Sequence, residues 1–79
     1  MMFEPFASVT LTRDLPDLGL KAGMSGAVAD VVAEHDVCIV EFFDAAGETV
    51  SVEYVPQGAL RLTTPEEHAA RKARRIAAE

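Results

Sequence analysis

The stretch from Val9 to Val32 constrains this chain more than any other segment. Val9 and Leu11 alternate with Ser8, Thr10 and Thr12, the period-two pattern of a strand that buries one face. Residues 14–23 then hold Pro16, which fixes its own φ, and Gly19 and Gly23, which tolerate positive φ. Asp14 and Asp17 in the same stretch have side chains suited to bonding nearby amides. After Gly26, β-forming residues resume and run to Val32. A strand, a long loop of defined shape and a second strand commit the chain to a mainly β fold. Pro16, Gly19, Gly23 and Gly26 are read as the loop-shaping residues.

The remaining elements follow the same logic. Ala33-Glu34-His35-Asp36 is a polar turn, residues 37–43 a third strand, and Asp44 to Glu48 with Gly47 a hairpin connection. Residues 49–55 alternate as a fourth strand, Pro56-Gln57-Gly58 is a tight turn or single helical turn, and residues 59–63 form a fifth strand. The first strand is expected over residues 6–13 and the second over 26–32. Five short strands in this spacing predict a small β-barrel over residues 1–63.

From Thr64 the period changes. Thr64 fits an N-cap, Pro65 the first helical position and Glu67 the reciprocal partner of a capping box. Acidic residues open this segment, whereas Arg71, Lys72, Arg74 and Arg75 lie in its later turns, as the helix dipole favours. Its apolar stripe of Ala69, Ala73, Ile76 and Ala77 is thin, so residues 64–79 read as a basic C-terminal helix or arm, docked weakly or projecting.

Several quoted segments together resemble a known family: Leu11-Thr-Arg-Asp-Leu-Pro16, Gly19-Leu-Lys-Ala-Gly23, Gly26-Ala-Val28, the Val40-Glu-Phe42 strand, an acidic-glycine turn, and a strand ending near Leu60-Arg61. They resemble a family of short bacterial proteins of unknown function. That family is similar to SH3-like barrels, including the small barrel of the nitrile hydratase β subunit and the glycine-centred strand turn of KOW domains. The resemblance spans about residues 8–62. It implies a five-stranded SH3-like barrel in the cytoplasm and brings no established catalytic residues. Nitrile hydratase chemistry is not implied, because that enzyme's metal-binding cysteine cluster belongs to its other subunit.

At 79 residues the chain has room for one thin core, and a domain of this size is marginally stable alone. Cys38 is its single cysteine, so no intrachain disulfide forms and a reducing compartment is expected. No apolar run approaches a membrane span, and no basic region followed by a long hydrophobic one opens the chain. The expectation is a cytoplasmic protein without membrane contact.

Charge is distributed unevenly within the total of −6. Residues 1–63 set ten acidic side chains against Arg13, Lys21 and Arg61, a balance of −7, whereas residues 64–79 balance at +1. An acidic barrel is a poor partner for phosphate backbones, so nucleic acid is not the expected ligand. Basic or apolar protein surfaces fit it better.

No motif points to chemistry. Gly19, Gly23 and Gly26 lie before a strand rather than a helix and lack the Gly-Lys-Ser/Thr of a phosphate loop. His35 sits between Glu34 and Asp36 in a turn, and the carboxylates of Asp14, Asp17, Asp44 and Glu48 fall on turns. Cys38 alternates with Val40 and Phe42 on the expected core face, as a small buried hydrophobe. No catalytic residue, cofactor, metal or small-molecule substrate is expected.

One pattern does point to binding. With Cys38, Val40 and Phe42 inward, the other face of the third strand carries Val37, Ile39 and Phe43 beside Glu41, and Val28 and Val32 of the second strand are read as joining them. An apolar outer face is either covered, by Phe3, Phe6 or Ile76, or is an interface. The expected function is a non-enzymatic protein-interaction module. It forms a homodimer or binds a protein partner through Val28, Val32, Val37, Ile39 and Phe43 or an exposed strand edge, as an acidic accessory or antitoxin-like subunit would. The alternative is a KOW-like nucleic-acid-binding accessory protein that uses Arg71, Lys72, Arg74 and Arg75.

Overall fold

A computed structural model describes residues 3–44, 46–67, 69 and 70. Its strands are β1 (Ser8–Leu11), β2 (Ser25–Val32), β3 (Val37–Phe43), β4 (Thr49–Pro56) and β5 (Leu60–Leu62). They form one antiparallel sheet in the order β4-β3-β2-β1-β5. Short 3-10 turns at Pro16–Leu18, Ala33–His35 and Gln57–Ala59 separate them. The expected strands are present, though β1 is shorter than its alternation predicts.

The loop after β1 is folded on itself. Leu15 and Leu20 exchange backbone hydrogen bonds of 2.9 and 3.1 Å across the Pro16–Leu18 turn, and the Asp14 carboxylate accepts the Ala22 amide at 2.8 Å. Gly19 and Gly23 take φ of 70° and 91°, the region that L side chains rarely enter. Gly26 differs. It lies inside β2, paired with Phe42, and its missing side chain makes room for the Glu41 carbonyl. Its role is strand approach, not the shaping of the loop.

The core is assembled from Val9 and Leu11 of β1, Val28 of β2, Cys38, Val40 and Phe42 of β3, Val55 of β4, with Leu20, Ala59, Leu60 and Phe3. Phe3 therefore closes the core rather than the outer face. The polar face of β1 is buried as well. Thr10 bonds the hydroxyl of Ser25 at 2.9 Å and that of Thr63 at 2.8 Å, a chain that ties β1, β2 and the end of β5 together.

The helix start is formed as its capping residues predict. The Glu67 amide donates to the Thr64 hydroxyl at 3.1 Å and the Glu67 carboxylate accepts the Thr64 amide at 2.9 Å. Pro65 to Glu67, with Ala69 and Ala70, are helical. The basic residues Arg71, Lys72, Arg74 and Arg75, and Ile76 proposed as a cover, lie outside the described residues. Among the described residues no helix is long and apolar enough to cross a membrane.

Candidate interaction surface

β2 changes face partway along. Val28 pairs with Val40, but the register then slips, so that Asp30 pairs with Ile39 and Val31 with Cys38. The slip is a β-bulge, with Ala29 the extra residue, and it reverses the parity of every side chain that follows. Val28 has no exposed surface, and Val31 packs against the core from the far side of the bulge. The expectation that Val28 lies on the outer face is therefore corrected: it is a core residue. Uninterrupted alternation through β2 placed it wrongly.

The other four candidates stay on the outer side. Val32 pairs with Val37, and Ile39 and Phe43 follow at alternate positions along β3, all four half-buried. Phe6 does not cover them. It sits at φ 70° with its side chain 85% exposed, and its amide donates to the Val28 carbonyl.

What the sequence reading missed lies one strand further out. β4 pairs with β3 so that Ser51, Glu53 and Val55 oppose Phe42, Val40 and Cys38. The polar members Ser51 and Glu53 thus share the inward side of the sheet, and Val52 and Tyr54 project outward at 56% and 66% exposure; Val50, also exposed, is the extra residue where the register shifts between Phe42 and Phe43. Tyr54 lies across from Ile39 and Val52 from Glu41, whose carboxylate accepts the Thr49 hydroxyl. The outer face accordingly carries a continuous apolar surface from Val32 and Val37 through Ile39 to Tyr54 and Val52, with Glu41 bonded within it. The turn alone does not give this arrangement: it sets Phe43 against Thr49, and uninterrupted pairing from there would turn Val52 and Tyr54 inward, but an extra residue at Val50 shifts the register so that Ser51 opposes Phe42.

β4 is also a sheet edge. The Gln57 amide donates to the Asp36 carbonyl at 2.9 Å, one step beyond the Val37 and Pro56 pair. Bonded and non-bonded pairs alternate along an antiparallel ladder, so Ser51, Glu53 and Val55 turn their peptide groups toward β3. Val52 and Tyr54 turn theirs to the open edge. Pro56, which has no N–H, occupies the next outward position.

Several titratable side chains are engaged in structure. Asp14 and Asp44 accept backbone amides in their own loops, and Asp30 accepts the Val31 amide beside the bulge in β2. Arg61 holds the Glu67 carboxylate through two 2.7 Å bonds. That pairing, together with the Thr64 amide, holds the Glu67 carboxyl down at about 2. Burial raises the Cys38 thiol, in keeping with a core position on β3. Among the described residues no group of three His, Cys, Asp or Glu side chains is placed to hold a metal ion.

Comparison with known proteins gives no match among the curated proteins and none among the solved structures. A family model does match, over residues 6–62, and its boundaries enclose all five strands. The chain belongs to the family described as Domain of unknown function (DUF4926).

Proposed function

We propose that this protein is a non-enzymatic, self-associating interaction module built on an SH3-like barrel, and that its contact surface is the β3–β4 corner of the sheet. The strand order β4-β3-β2-β1-β5, the long loop between β1 and β2 and the 3-10 turn before β5 support that barrel type. The observation that carries the function is the exposed outward pair Val52 and Tyr54 on an edge strand, next to the half-buried outer residues of β3. Half or more of each side chain meets water, where solvated strands carry polar groups. Natural edges are guarded by Lys, by Pro within the strand, by bulges or by extreme shortness; β4 has eight residues with its one Pro at the end and a bulge at Val50, and its regular stretch from Ser51 to Val55 carries no Lys or Pro.

Light scattering across a concentration series tests the reading, with Tyr54→Lys beside wild type. Lys is chosen because it lowers the negative charge of an acidic chain, so general repulsion cannot explain a lost dimer. The expected result is a wild-type dimer that forms with rising concentration and a variant that stays folded and monomeric. A wild type that remains monomeric up to millimolar concentration overturns the proposal.

A further inference from the structure

We propose that the occupant of this surface is the basic segment 71–79 of a second copy of the chain, laid across the outer face of β2, β3 and β4, with each copy giving its segment to the other; this rests on the self-association reading above. The make-up of the face determines the kind of partner. Val32, Ile39, Val52 and Tyr54 give it apolar contact area, and two carboxylates lie among them. Asp30 of β2 stands across from Ile39, which stands across from Tyr54, and Glu41 stands at the next outer position along β3, across from Val52.

The rim is acidic as well. Glu34 and Asp36 occupy the turn that joins β2 to β3, Asp44 and Glu48 occupy the turn that joins β3 to β4, and the sequence has no Lys or Arg between residues 25 and 56. Two such faces set against each other bring like charges together, which opposes contact and slows encounter. Self-association through this surface therefore calls for a cationic counterpart that also brings apolar side chains.

The chain carries one. Four of its seven Lys and Arg, namely Arg71, Lys72, Arg74 and Arg75, fall within five residues, and Ile76 follows them. The other three are placed elsewhere: Arg13 and Lys21 in the connection from β1 to β2, and Arg61 on β5, where its guanidinium holds Glu67. Length fits the face. Residues 71–79 would span about 14 Å even at the rise of a helix, against about 10 Å for the two strand spacings from β2 to β4. Chemistry fits it too, because Arg and Lys stems lie along apolar surface while their heads reach carboxylates, and the Tyr54 ring offers a face to a guanidinium. Reciprocal exchange uses the same contact twice and closes as a two-fold dimer instead of an open chain.

The test is light scattering over a concentration series on wild type, on an arm variant (Arg74→Glu with Arg75→Glu), on a face variant (Asp30→Lys with Tyr54→Lys) and on an equimolar mixture of the two variants. The expected results are a wild-type dimer weakened at least about tenfold between about 50 and about 500 mM salt, and variants that each dimerise at least about tenfold more weakly than wild type. The mixture recovers the dimer, because the acidic face of the arm variant receives the basic segment of the face variant and the reversed pair matches as well. Circular dichroism checks that the face variant is folded; the arm substitutions lie beyond the five strands, so their result stands alone. An arm variant that dimerises as tightly as wild type overturns the proposal and leaves self-association through the β3–β4 corner in place. A mixture no more associated than its folded components also overturns it, since the segment is then not exchanged between chains. If wild type is monomeric up to millimolar concentration, self-association and the exchange fall together.

Discussion

Gly26→Ala isolates a steric requirement from a conformational one. A Cβ built on Gly26 stands 2.2 Å from the Glu41 carbonyl oxygen, 2.9 Å from its carbon and 3.0 Å from Val40 Cγ1. Carbon and carbonyl oxygen approach only to about 3.3 Å even in favourable contacts, so roughly an ångström of overlap must be relieved. The obstacle is backbone, and relief means moving β2 and β3 apart where their ladder is continuous from Gly26 to Val28. Overpacking of this kind costs about 1–3 kcal/mol, and alanine returns about 0.4–1 kcal/mol by restricting the unfolded chain. With about an ångström of overlap against backbone the cost falls in the upper half of that range, about 2–3 kcal/mol, and the net loss is about 1–2.6 kcal/mol from a fold of this length that holds about 4–12 kcal/mol in all. At about 4–8 °C per kcal/mol, the melting temperature falls by roughly 4–20 °C. Urea unfolding monitored by circular dichroism gives the midpoint and slope, with two controls. At Gly58 an added Cβ meets nothing within 4 Å and φ is ordinary, so Gly58→Ala stays within about 0.5 kcal/mol of wild type. At Gly19 the space is also open but φ is 70°, so Gly19→Ala loses about 1–2 kcal/mol through backbone strain alone. A Gly26→Ala midpoint equal to that of Gly58→Ala refutes the close-approach account.

Three further outcomes are expected. Val28→Asp leaves the chain unfolded in circular dichroism, because an unpaired carboxylate enters the core, whereas Val32→Asp, beyond the bulge, keeps the native spectrum; equal tolerance at both positions contradicts the bulge. Thr10→Val preserves shape but removes the hydroxyl shared by Ser25 and Thr63, and urea midpoints should report a loss of about 1–3 kcal/mol. The Glu67 carboxyl lies below its ordinary value of 4.5, at about 2, so its contribution to the helix start is complete above pH 4.5 and is lost as pH falls toward 2. Carbon-detected NMR titration should place its midpoint near 2 in wild type and nearer the ordinary value in Arg61→Met, with high salt weakening the difference because the pair is exposed.

Local chemistry made much of this fold legible. Pro16, Gly19 and Gly23 mark a loop whose glycines do take positive φ, and β3 runs over the expected residues with Cys38, Val40 and Phe42 inward. Thr64, Pro65 and Glu67 specify a helix start by contacts only three residues apart, and those contacts form. The failures arise where a residue's side depends on pairing with a distant strand. Nothing near Val28 in sequence encodes the bulge at Ala29, which becomes visible only once β3 is laid beside β2. Thr10 reads as a solvated residue by alternation, yet partners 15 and 53 residues away bury it. For the candidate surface, the half on β3 was legible and the half on β4 was not, since a strand with Val50, Val52, Tyr54 and Val55 offers two apolar choices for its inner side.

The inward placement of Ser51 and Glu53 links the fold to its proposed use. β4 has a polar side and an apolar side, and either could face β3's inner row if β4 stood alone. The Asp44 amide donates to the Glu48 carbonyl and the Asp44 carboxylate accepts the Ala46 and Glu48 amides, a turn that sets Phe43 against Thr49, and the register shift at Val50 then reverses the parity so that Ser51 stands against Phe42. A slip of one residue would bury Val52 and Tyr54 and return Ser51 and Glu53 to water, the arrangement that hydrophobic burial alone prefers. The observed register instead keeps both apolar side chains on the outside of an open edge and leaves a buried hydroxyl without a partner. A monomer gains nothing from that arrangement. The extra residue at Val50 therefore does more than interrupt a ladder, since by reversing the parity set at the turn it determines that Val52 and Tyr54 lie on the outer side of β4.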